Sequence, residues 1–203
     1  MIRPSSQATT MFFHQLFQAE GLKLKKGKML ECLYLADRMS LLEIGRTITR
    51  DKYLVKNGKI VMPECEKSID HISEHFKKTE KIFKHKKSLK KTIESYLARE
   101  EEEHKTYQDF LKLQKDFDLA LQKLSDSDLD CMIKAFDQIN DSDFNIYDLP
   151  EFKNCGAEIT PKEIVLKSDI DHEMKEGILE SLQIEAFFEE LDSEKKNKEP
   201  ERD

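Results

Sequence analysis

The sequence predicts a mainly α-helical domain, a compact set of helices with a small β-hairpin near residues 52–62. Three observations predict it. Only 6 glycines and 5 prolines interrupt 203 residues, so turns are few. Charged residues make up 37% of the chain and apolar residues 38%, a balance that suits helices with a solvated face better than a thick sheet-centred core. The apolar positions also recur at helical spacing along most of the length.

The first helix is expected over residues 8–20, with Phe12, Phe13, Leu16 and Phe17 clustered on one side and Gly21 as its stop. So many phenylalanines on a short helix do not stay in water. They either complete the core or meet a partner, and Phe12, Phe13 and Phe17 are candidate partner-binding residues on the second alternative.

A second helix is expected over residues 28–44. Leu30, Leu33, Tyr34, Leu41 and Ile44 form its apolar stripe, and Gly45 is placed to cap it. Asp37 falls on the same stripe. A buried carboxylate needs a partner or it loses its charge. Two candidates follow the cap, Arg46 and the backbone amides of Thr47–Thr49. Asp37, Arg46 and Tyr53 are accordingly the expected structural pin between this helix and the hairpin.

Tyr53-Leu54-Val55 and Ile60-Val61-Met62 flank Asn57-Gly58, and an Asn-Gly pair between β-prone runs is a strong hairpin signal. Pro63 ends the second strand and suits the first turn of a helix. Residues 64–123 are helix-compatible throughout. As one helix they would reach about 90 Å, so breaks are expected near residues 84–88 and between 100 and 116. Lys77–Lys91 holds eight lysines and one acid, and the acidic block Arg99–His104 follows. A solvated helix surface is the plain reading. The others are two faces that attract each other and a site for an acidic partner.

Two later helix starts are well marked. Ser125 precedes Asp128 with Leu124 and Leu129 as flanking apolar residues, and Thr160 precedes Glu163 with Ile159 and Ile164 in the same places. Pro161 occupies the first helical position of the second. The Ser125 helix carries Leu129, Met132, Ile133 and Phe136. A last helix over residues 171–191 carries Met174, Ile178, Leu182, Phe187, Phe188 and Leu191. Gly177 within it costs about 1 kcal/mol against alanine, which points to close packing or a shift of axis. Residues 192–203 read as a disordered tail. The organisation expected is a Phe-rich N-terminal helix (1–27), a helical domain (28–191) with a charged insert at about 64–122, and the tail.

The net charge of −7 excludes nucleic-acid binding by bulk electrostatics. Cys32, Cys65, Cys131 and Cys155 lie far apart, as suits thiols in a reducing compartment. No signal-peptide core and no membrane span stand out, so a cytoplasmic protein without a membrane partner is expected. His71 and His75 share a helix face, but no third metal ligand accompanies them. Glu101 and His104 resemble half of a di-iron motif without its other half. Asp141, Asp143 and Asn145 begin like a calcium loop, which Ile146 and Phe152 then break at its sixth and twelfth positions. No phosphate loop or nucleophile motif is present. The expectation is no cofactor, no metal and no catalysis.

The run Leu33–Ile60 resembles the signature of the Panacea domain, the SocA-like antitoxin family. The matching positions are Leu33-Tyr34-Leu35-Ala36-Asp37-Arg38, Leu41, Gly45-Arg46, Ile48-Thr49, Asp51-Lys52-Tyr53 and Gly58. Weaker similarities follow in order at Leu124–Asp130, Leu149–Asn154 and the Ile159–Leu166 stretch, so the resemblance covers most of residues 28–190. It departs where the family carries proline, histidine and tryptophan and this chain carries Lys59, Tyr147 and Phe152. A partner surface built on those positions would differ from the family's, and Lys59 joins the candidate partner-binding residues. The resemblance implies a non-enzymatic helical domain that neutralises a cognate protein toxin by direct binding. In one branch it implies a proteolytic adaptor, with a protease as second partner. Such domains also occur in prophage and mobile-element genes. The rival expectation is a helical interaction or structural protein of phage, mobile-element or effector origin that reuses the fold without a toxin.

Overall fold

A computed structural model describes residues 4–22, 25–86, 122 and 124–198. Helix α1 spans Pro4–Ala19, α2 Lys26–Ile44, α3 Pro63–Lys86, α4 Asp126–Asn140, α5 Pro161–Lys167 and α6 His172–Lys198. Strands β1 (Tyr53–Lys56) and β2 (Lys59–Val61) form the hairpin, and β3 (Glu158–Ile159) pairs antiparallel with the free side of β1. The protein is mainly α with a small three-stranded sheet in the order β2-β1-β3. Among the described residues no helix is long and apolar enough to cross a membrane.

Helix α2 is the centre of the molecule. It packs against α4 most extensively and also meets α1, α3, α5 and β2. The sequence stripe understates this burial. Met29, Cys32, Leu35 and Ala36 are buried along with Leu30, Leu33, Tyr34 and Leu41, so α2 is enclosed on most sides rather than on one face. Ile44, expected on the stripe, is exposed at the helix end. Gly45 caps α2 at φ +81°, donating its amide to the Leu41 carbonyl, a conformation that costs glycine little.

Helix α1 starts four residues earlier than expected, at Pro4, and belongs to the same core. It ends in a paired cap, with the amides of Gly21 and Leu22 donating to the carbonyls of Gln18 and Phe17. Phe13 and Phe17 are fully buried, and Phe17 meets Phe136 of α4 edge-on at 5.1 Å. Those two phenylalanines complete the core and leave no surface for a partner. Phe12 is half-buried against the same core. The first turns of α1 are polar yet buried, because Thr9 and Thr10 donate back to the carbonyls of Ser5 and Ser6.

The hairpin turns at Asn57 (φ +53°) and Gly58 (φ +69°), the two positive φ values that the tight Asn-Gly turn requires. Both capping boxes form. Ser125 and Asp128 bond reciprocally at the start of α4, as do Thr160 and Glu163 at the start of α5. The polar run after α4 works as turn chemistry: Asp141 accepts from the Asp143 amide, and Asn145 from the Tyr147 amide. Helix α3 opens at Pro63 and is described to Lys86. The expected breaks between 100 and 116, the Arg99–His104 block and the Glu101/His104 pair lie outside the described residues.

Three details of the later helices differ from the sequence reading. Ile133 is exposed on α4. A Cβ added at Gly177 would meet nothing within 4 Å, so close packing is not the reason for that glycine. Helix α6 runs past Leu191 to Lys198, into the stretch expected to be a disordered tail. Glu194, Lys195, Lys196 and Lys198 are good helix formers, which helps extend the helix beyond its last apolar residue.

Candidate functional site

The site forms where the buried face of α2 meets the segment entering the hairpin. Asp37 is completely buried. One carboxylate oxygen accepts from the backbone amides of Ile48 and Thr49, both at 2.8 Å. The other accepts from the hydroxyls of Thr49 and Tyr53, the latter at 3.0 Å. Gly45 makes this possible, since its left-handed cap folds the chain back so that residues 48 and 49 present their amides to α2. Burial pushes the Asp37 carboxyl up to about 6, against the opposing pull of the hydrogen bonds from Thr49, Tyr53 and Ile48. The Tyr53 phenol is raised well above its ordinary range, first by burial and then by the Asp37 carboxylate.

Thr49 extends the network outward. Its carbonyl accepts from the Ser6 hydroxyl of α1 at 3.2 Å, and its hydroxyl oxygen accepts from the Asp51 amide at 3.2 Å. Asp51 in turn accepts from the Cys65 amide near the start of α3 at 2.8 Å. Arg50, between them, sits at φ +56°, a left-handed conformation unusual for arginine. It points across a groove of about 550 Å³, where its guanidinium lies 3.6 Å from Glu185 of α6. Thr47, Pro161, Leu179 and Leu182 line the same groove.

Arg46 does not serve Asp37. Its guanidinium reaches Asp128 at the start of α4, 2.8 Å away, while its carbonyl accepts from Ser40. The backbone amides win because they lie within one turn of the cap, whereas Arg46 points away from the α2 core. Burial alone would raise the Asp128 carboxyl. The hydrogen bonds from Arg46 and Ser125 outweigh it, and the pKa lies below the ordinary value.

Glu151 is a second buried acid, which no periodicity in the sequence marks. It is fully buried in the short 3-10 turn Pro150–Phe152 and accepts from the Tyr34 hydroxyl at 2.9 Å and from Arg38 Nε at 2.6 Å. Its signal was available in Arg38, a cation on the flank of a buried helix with no acid three or four residues away to pair with. Aromatic rings close around this pair. Tyr34 stands edge-on to Tyr53 at 5.1 Å and to Phe152 at 5.3 Å, and Tyr147 packs on Phe152 while donating to Glu31.

The expected site residues therefore divide. Asp37 and Tyr53 come together, Arg46 is diverted to α4, and Phe13 and Phe17 are core. Lys59 is exposed on β2 directly opposite Lys56, on the outer side of the hairpin. His71 is exposed on α3, and among the described residues no group of three or more metal-ligating side chains comes together. What the arrangement can do chemically is hold segments together. Its two carboxylates are closed to solvent, and the donors around them are backbone amides, hydroxyls and one guanidinium.

No curated protein and no solved structure matches the chain significantly. One family model does match, described as antitoxin SocA-like, Panacea domain, over residues 30–151. That stretch runs from the buried face of α2, through the hairpin and its Asp37 network, to Glu151. It covers more than half of the 203 residues, and the chain belongs to the antitoxin SocA-like, Panacea domain family.

Proposed function

We propose that this protein is an antitoxin that neutralises a cognate protein toxin by binding it directly, without catalysing a reaction. Family membership over residues 30–151 is the observation that carries this reading. The geometry supports it in one respect. The two buried acids of the matched stretch, Asp37 and Glu151, accept internal hydrogen bonds that fix the scaffold. A scaffold of this kind acts through its surface.

Co-expression with any small reading frame found adjacent to its gene tests the proposal. The neighbour alone should arrest growth, and this protein should restore growth and co-purify with it in a stable complex. A harmless neighbour, or one that stays toxic beside the folded protein, overturns the antitoxin reading in favour of a helical interaction protein without a toxin. The adaptor variant of the mechanism has its own readout. The toxin's half-life should shorten in the presence of this protein and recover when the cell's ATP-dependent proteases are removed.

A further inference from the structure

We infer that the Ile184–Leu191 stretch of α6 is a docking surface for a basic amphipathic helix of a partner protein. The inference rests on the antitoxin reading and deepens it, since the partner helix would belong to the toxin. Ile184, Phe187 and Phe188 are 58%, 57% and 60% exposed, more than any other large apolar side chain among the described residues. They occupy positions i, i+3 and i+4 of one helix, and the two rings touch edge-on with centroids 6.0 Å apart. Half-buried Leu191 continues the row one turn later. The stripe is separate from the one that seats α6 on the body, where Ile178 is buried and Leu179 and Leu182 pack on the core. A second apolar stripe on a helix already seated by its first is the seam into which a partner helix fits.

Charge selects the occupant. Residues 184–191, which carry the stripe, contain three glutamates and no lysine or arginine. Glu180 stands one turn before Ile184, and Glu190 lies beyond Phe188, both exposed. A second copy of α6 on this seam would bring acid against acid, which disfavours self-pairing. A helix with an apolar face between lysines or arginines meets both the stripe and its rim. The surface lies outside residues 30–151, the stretch that the family model matches.

The test is fluorescence anisotropy of a labelled helical peptide, leucine on one face and lysine on the other, titrated with the full-length protein. The expected result is saturable binding that weakens at least about tenfold in Phe187→Ser/Phe188→Ser. That variant leaves the net charge unchanged and removes only exposed side chains. Glu180→Gln/Glu190→Gln should weaken the peptide and flatten its salt dependence. A control peptide with glutamate in place of lysine should not bind. The inference is overturned if the lysine peptide fails to bind, or if it binds the serine variant as tightly as the parent, which would make the attraction bulk charge alone. It is equally overturned if the protein forms a dimer that the serine variant dissolves. None of these outcomes depends on the toxin, so a failed peptide test with successful neutralisation removes this surface and leaves the antitoxin reading standing.

Discussion

The carboxylate of Asp37 holds Thr49 twice, by its backbone amide and by its hydroxyl, while the Thr49 carbonyl accepts from Ser6. One threonine thus joins α1, α2 and the entry to the hairpin. Replacing Asp37 by alanine strands two buried amides and the hydroxyls of Thr49 and Tyr53. The expected loss is about 3–5 kcal/mol, measured by urea denaturation at pH 7. Asp37→Asn keeps one acceptor for the two amides and turns the other atom into a donor facing hydroxyls that can rotate. It should cost about 1–2 kcal/mol. An alanine variant with parental stability would remove Asp37 from the role of pin.

The same carboxylate gives a pH dependence. Its folded value of about 6 lies above the ordinary 3.8, so between those values the folded state binds more protons than the unfolded one. Stability from this group is full below about pH 4 and is lost as pH rises through 6. The stability of the parent relative to Asp37→Asn should therefore fall by about 3 kcal/mol from pH 4 to pH 7. Paired urea melts across that range isolate the effect, because the other titrating groups cancel. A flat difference would place the folded pKa at its ordinary value.

Arg46 and Asp128 join the end of α2 to the start of α4, with Asp128 buried and Arg46 38% exposed. The exposure of the cation limits the pair, and a double-mutant cycle with Arg46→Ala and Asp128→Asn should give a coupling of about 1 kcal/mol that shrinks in high salt. Asp128→Ala also opens the capping box on Ser125 and should cost about 1 kcal/mol more than the coupling alone. Because this carboxyl titrates below its ordinary value, its contribution is present above pH 4 and is lost as pH falls through the folded pKa.

Gly177 lies inside α6 with open space around its missing side chain. Gly177→Ala should raise stability by about 0.5–1 kcal/mol, through the smaller entropy lost on folding. Thermal melts would show a rise of a few degrees or less. A decrease would mean that the added methyl group strains α6 or its seat on the body.

Local signals carried most of the fold. The Gly45 stop, the Asn57-Gly58 turn, Pro63 and both capping boxes are written in neighbouring residues, and each forms as read. Asp37 was visible as a carboxylate out of place on an apolar stripe. What stayed hidden was non-local. Strand β3 is two residues long and exists only through its pairing with Tyr53 and Leu54, about a hundred residues away in sequence. Glu151 sits in a 3-10 turn, where no period marks a residue as buried. Arg46 misled because nearness in sequence favoured it, whereas the turn after the cap brought backbone amides closer. The phenylalanines of α1 left two readings open, and packing decided between them residue by residue: Phe13 and Phe17 inward, Phe12 at the margin.

Strand β3 sets where this protein can be cut. It covers the outer side of β1, with the Val55 amide donating to the Ala157 carbonyl at 2.8 Å, yet it lies beyond residue 151, where the family match ends. A fragment trimmed to that boundary would keep β1 and β2 and uncover a row of unpaired amides and carbonyls along Tyr53–Val55. Such a row is a template on which a second molecule can zip, so the trimmed piece would be prone to clump in solution. A transplantable module from this chain therefore has to include residues 157–159, and with them the capping box that starts α5.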